Sequence, residues 1–146
     1  MDCIEMKIYN DIIEECFATD KDLCDKWHIE APNTAGVCSK RTVNDLQGID
    51  GFKFYSLIEN NEIAGFFGSY VTYNGINYMA PFFLKNKYRS MKNEFWAEVN
   101  KKMGNMIYTG VYNKNERAKK FLDKYGSIEF KTNEGVIYKI NLPCHL

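Results

Sequence analysis

Lys85, Lys87, Arg89 and Lys92 crowd into the stretch "KNKYRSMK", a local density of cations that could hold an anion such as a phosphate group. The ordinary alternative for such a cluster is a solvated helix start. Carboxylates able to move a proton are Glu59, Glu62 and Glu98, although each also reads as a plain hairpin or surface residue. Tyr112 and Tyr125 bring hydroxyls near the second helical stretch of the C-terminal half. Metal chemistry is not expected. Cys3, Cys16, Cys24, Cys38 and Cys144 form no CxxC pair, and His28 and His145 lack the spacing of a zinc-binding helix.

These residues need elements to position them. Ile4, Met6 and Ile8 alternate with polar residues, which predicts a strand, and Asn10 can cap the N-terminus of a helix after it. Spacings of three and four in "DIIEECFATDKDLCDKWH" predict two short helices broken near Thr19 and Asp20, and residues 29–52 form a long connection. The segment from Phe52 to Leu84 predicts three antiparallel strands turning at Asn60-Asn61 and Asn74-Gly75. Met91, Phe95, Val99 and Met103 share one helix face closed by Gly104. "MIYTGVY" is a buried-strand candidate. A further helix carries Ala118, Phe121, Leu122 and Tyr125 on one stripe and ends at Gly126, and a hairpin turning at Asn133-Glu134-Gly135 closes the chain.

The expected architecture is a single domain over residues 1–146, an α/β (α+β) fold whose mixed, mostly antiparallel sheet is flanked by helices. Hydrophobic residues at 45% and aromatics at 15% are ample for one core. Lys plus Arg balance Asp plus Glu at 19 each, so no overall field recruits nucleic acid or an anionic membrane. No export signal is visible and no apolar run nears the roughly 20 residues of a spanning helix. Reduced thiols and this balance suit a protein of the cytoplasm.

The element order, and above all "VYNKNERAKKFLDKYGSIEF", resembles the GCN5-related N-acetyltransferase (GNAT) superfamily. Asn115, Ala118, Phe121, Lys124 and Gly126 fall on that family's pattern of an asparagine, an alanine, an aromatic, a lysine and a glycine. The resemblance implies a site for acetyl-CoA, held by backbone N–H groups where the helix after the fourth strand begins. Glycines there let the backbone approach the pyrophosphate. Tyr88-Arg89 match the family's lead-in, but the two glycine positions read Lys92 and Glu94. A carboxylate at the second of them repels a phosphate.

The resemblance also implies a tyrosine that protonates the departing thiolate, and Leu122 occupies its place. Cofactor-binding residues, if acetyl-CoA binds, are Arg89, Ser90, Lys92 and Asn115, and no catalytic residue is assigned. The leading expectation is a non-catalytic structural or binding protein with no cofactor, in contact with other protein subunits of a larger assembly. The stretch "KYRSMKNEFWAEVNKKM" with "NERAKKFLDKYGSIEF" is similar to GNAT-like virion proteins of short-tailed bacteriophages, and richness in lysine, asparagine and tyrosine would suit an AT-rich genome. The alternatives are a divergent acetyl-CoA-dependent N-acetyltransferase using amides around Ser90 to Asn93, and a small regulatory binder. An interface is expected among the aromatics Trp27, Tyr70, Tyr73, Tyr78 and Trp96 or on the outer face of the helix from Met91 to Met103.

Overall fold

The structure, a computed structural model, describes residues 1–8, 47–71, 75–113, 115–133 and 135–142. The two helices expected between Asp11 and His28, with Trp27 and Tyr73, lie outside these residues. Among the described residues seven strands form one sheet in the order β1-β2-β3-β4-β5-β7-β6. They are β1 (Asp2–Glu5), β2 (Phe52–Glu59), β3 (Glu62–Val71), β4 (Asn77–Leu84), β5 (Met106–Tyr112), β6 (Gly126–Lys131) and β7 (Gly135–Asn141). Helix α1 spans Lys92–Met103 and α2 spans Glu116–Asp123.

The meander β2-β3-β4 is antiparallel as its turns dictate. Asn60 and Asn61 both take positive φ, 52° and 61°, the backbone a tight two-residue hairpin requires and asparagine tolerates. The opening strand is β1 at Asp2–Glu5, so the alternation through Ile8 overran it. Beyond the strand, the Ile8 backbone exchanges hydrogen bonds with the Gln47 side-chain amide: the Ile8 N–H donates at 2.5 Å, and the Gln47 amide returns one to the Ile8 carbonyl at 3.2 Å.

The stripes on the two helices bury as their spacing demands. Phe95, Trp96, Val99 and Met103 of α1, with Leu122 of α2 and Tyr125 just after it, pack on Tyr55, Leu57, Phe67, Met79, Ile107, Val136, Tyr138 and Ile140 of the sheet. Gly104, at φ 94°, ends α1 and donates its N–H to the Asn100 carbonyl at 2.9 Å. Helix α2 stops at Asp123, short of Gly126, which instead begins β6. On the opposite face Phe54, Phe66 and Phe83 form a second buried group with Ile8.

Two irregularities matter for the site. Strands β4 and β5, the parallel neighbours, share a single register pair, Tyr78 opposite Tyr108. The β3-β4 ladder steps from Phe67 opposite Phe82 to Ser69 opposite Met79, so Gly68 faces both Ala80 and Pro81 in a bulge.

Candidate functional site

The region where the resemblance places a cofactor begins at the end of β4. A 3-10 helix over Asn86–Met91 runs directly into α1. Its bonds close three residues back, so amides ahead of α1 find partners inside the turn, beginning with Tyr88 N–H to the Lys85 carbonyl at 2.9 Å. The cap residue Met91 offers no side-chain acceptor. Glu94 stands exposed in the first turn of α1, where the positive end of the helix dipole favours a carboxylate. The chain thus supplies its own anion to that pole.

The cation cluster is drawn into the protein's own contacts. Arg89 is half-buried and its Nε donates to the Leu84 carbonyl at 3.2 Å, tying the turn to the end of β4. Lys87 pairs with Glu62, and the Tyr88 hydroxyl donates to the same carboxylate at 2.5 Å. Lys87, then Tyr88, hold Glu62 below the usual carboxylate range, while the bond to Glu62 pushes the Tyr88 phenol up. Ser90 is exposed within the 3-10 helix and Lys92 is half-buried as the first residue of α1. Glu98 pairs with Lys101 at 3.1 Å. The candidate carboxylates Glu62 and Glu98 are therefore each paired with a lysine of the chain, Glu98 with its side chain largely buried.

Asn115 is the N-cap of α2: its Oδ1 accepts from the Ala118 N–H at 3.1 Å. That bond explains the asparagine without a ligand.

Between α1 and α2 the space is filled by rings. Trp96 stacks on Phe121 with centroids 5.7 Å apart and meets Tyr125 at 5.3 Å, and Phe121 and Tyr125 are 4.9 Å apart. Phe82, projected from β4 just past the bulge, reaches Phe95, Trp96 and Phe121 at 6.1, 6.4 and 6.3 Å. Leu122 is 0% exposed and Tyr125 is 7% exposed, both in the main core cluster. The Trp96 Nε1 is buried with no hydrogen-bond partner among the described residues.

Sequence patterning missed Phe82, the 3-10 helix and the bulge. A signal for the last was present, because proline inside a strand pattern marks an edge or a bulge. A bulge leaves a backbone group outside the ladder, and Pro81 has no N–H to present to a developing oxyanion.

This architecture has close parallels among solved structures. The N-acetyltransferase PseH of Campylobacter jejuni in complex with acetyl coenzyme A superposes with a TM-score of 0.57 at 13% identity, over 97% of this chain and 99% of that one. The fold is that of the GNAT acetyltransferases. A GNAT-family acetyltransferase of Staphylococcus aureus Mu50 matches with a TM-score of 0.55 at 17% identity over 97% and 99% of the two chains. The PaiA N-acetyltransferase of Thermoplasma acidophilum in complex with coenzyme A matches with 0.56 at 15% over the same shares. No family model and no curated relative matches the sequence. What is shared with these GNAT structures is the fold, while the residues at the glycine and acid positions are this chain's own. Among the described residues no group of His, Cys, Asp and Glu could hold a metal, and no helix is long and apolar enough to cross a membrane.

Proposed function

We propose that this chain uses the GNAT fold without acetyl transfer, as a structural or binding protein whose partners are other protein subunits. The observation that carries the reading is Leu122, 0% exposed in the same buried cluster as Trp96 and Tyr125, at the position where the resemblance puts a general acid. An acid must lie within hydrogen-bond reach of the group it protonates. A thiolate would have to reach a side chain that the fold keeps wholly out of solvent. The 3-10 helix, Glu94 at the pole of α1 and the Arg89 bond to Leu84 support the same conclusion at the pyrophosphate end.

A place in a bacteriophage particle is the assembly this reading favours. It rests on the likeness of the lysine-rich α1 and α2 segments to phage virion proteins. Mass spectrometry of gradient-purified particles or complexes from the source tests it directly, and finding the chain only as a free protein would count against it.

The second reading, a divergent N-acetyltransferase, draws on the PseH and PaiA structures, which are complexes with acetyl coenzyme A and coenzyme A. Isothermal titration of the native protein with acetyl-CoA decides between the two. No heat up to millimolar ligand is expected, and micromolar binding would overturn the proposal. A Lys92→Gly, Glu94→Gly variant run alongside shows whether the loop alone blocks the cofactor.

A further inference from the structure

The balance of 19 Lys and Arg against 19 Asp and Glu hides a separation along the chain. Residues 85–124 hold 11 of the cations and 4 of the anions, net +7, and the other 106 residues hold 8 and 15, net −7. The basic stretch is the one that folds into the 3-10 helix, α1, β5 and α2. Strand β5 carries no charge, so the excess falls on the turn, the helices and the residues beside them, and both helices pack on one face of the sheet. Lys101, Lys102, Lys120 and Lys124 are exposed on that side. Glu98 pairs with Lys101 at 3.1 Å and Glu116 with Lys119 at 3.7 Å, which leaves the cations in excess. The large apolar residues of the helices turn inward: Phe95, Trp96, Val99, Met103 and Leu122 are buried and Phe121 is half-buried.

We propose that the outer side of α1 and α2, with the turn before α1, is a docking surface for the phosphate backbone of double-stranded DNA, held without regard to sequence. The surface chemistry selects this occupant among polyanions. A folded protein partner is gripped through a core of aromatic and aliphatic anchors with charges at the rim. A membrane takes up an apolar helix face, and a single strand stacks its bases on exposed rings. Here the outward residues are lysines and small polar groups. A duplex backbone asks for no more, since its dense row of phosphates is met by lysines as point charges.

The chain is neutral as a whole, so the contact is weak, with a dissociation constant on the order of 10 µM at about 50 mM salt. The docking stands on charge and is independent of whether the fold binds acetyl-CoA.

Fluorescence anisotropy of the native chain with two unrelated duplexes of about 20 base pairs tests it. The two should bind within about threefold of each other, and raising the salt from about 50 to 200 mM should weaken both about a hundredfold, as the neutralisation of about four phosphates requires. The Lys101→Glu, Lys120→Glu, Lys124→Glu triple variant should lose at least about tenfold. A control triple, Lys7→Glu, Lys53→Glu, Lys131→Glu, makes the same change in net charge at exposed residues away from the helices and should stay within about threefold of native. Far-UV circular dichroism of each variant confirms that it is folded. No binding at low salt, equal losses in the two triples, or a strong preference for one duplex would each overturn the proposal. Tighter binding to a single strand of the same length, to poly-L-glutamate or to phosphatidylserine vesicles would overturn it as well.

Discussion

The Trp96 indole lies nearly parallel to the Phe121 ring, with centroids 5.7 Å apart and planes 16° from parallel, so α1 and α2 are joined by a stacked aromatic pair. Trp96 is 2% exposed, and its truncation to alanine removes both burial and stacking. Trp96→Ala should cost about 3–5 kcal/mol in urea unfolding. Trp96→Phe should cost less than about 2 kcal/mol, because the ring remains and the buried Nε1 has no partner to lose among the described residues. Equal losses for the two variants would contradict this account.

Leu122 offers a direct test of the missing acid. Restoring the family residue with Leu122→Tyr forces a larger, polar side chain into a site that is 0% exposed. The variant should lose about 1–3 kcal/mol of stability and gain no turnover. A thiol-release assay with acetyl-CoA and a panel of amines reads the second half, and measurable release with unchanged stability would show that an open slot exists.

Tyr78 and Gly110 bridge the two strands that share only one register pair. Burial pushes the Tyr78 phenol up, and the neighbouring Gly110 backbone offsets part of that rise. A Cβ on Gly110 would sit 2.6 Å from that hydroxyl oxygen and 3.0 Å from the Ile137 Cδ1. Gly110→Ala should therefore destabilise by about 1–3 kcal/mol and Tyr78→Phe by about 1 kcal/mol. In the double variant the clash with the oxygen is gone, so the combined loss should fall short of the sum by about 0.5–2 kcal/mol. Additive losses across the four proteins would refute the contact.

Tyr138 sets the alkaline limit. It is 1% exposed, and burial, then the 2.6 Å bond its hydroxyl donates to Asp123, push its pKa well above the ordinary tyrosine value of about 10. The folded pKa exceeds the unfolded one, so its contribution is fully present below pH about 10 and is lost as pH rises beyond it. Thermal unfolding midpoints should fall steeply from pH 10 upward. Tyr138→Phe should flatten that fall by up to one proton per molecule, leaving the part due to Tyr55 and Tyr78, which burial also raises. An unchanged alkaline slope in the variant would sink the assignment.

The residues show which features a sequence declares. Helix and strand faces were legible because their burial follows a period: Phe95, Val99 and Met103 recur at four, and Asn60-Asn61 names its own turn. The candidate site was legible only by likeness to known motifs. Asn115 matched a cofactor-binding pattern and is explained by capping α2. The aromatic cluster was not legible, since Phe82, Trp96, Phe121 and Tyr125 come from three separate parts of the chain and meet only after folding. Nor did the exposed apolar residues fall on the outer face of α1, where Asn93, Glu94, Ala97, Lys101 and Lys102 face solvent. They are scattered instead, with Ile4 on β1, Val71 on β3 in the meander, and Ile128 and Phe130 on β6.

The aromatic cluster also constrains how such a chain could change over generations. Glycines introduced at Lys92 and Glu94 alter a half-buried and an exposed position and cost little beyond helix propensity. Clearing a path to Leu122 means shrinking rings in the core, each step subtracting stability before any ligand can repay it. Opening the core at Leu122 would therefore cross a valley of unstable intermediates, while drift on the surface stays open in every direction.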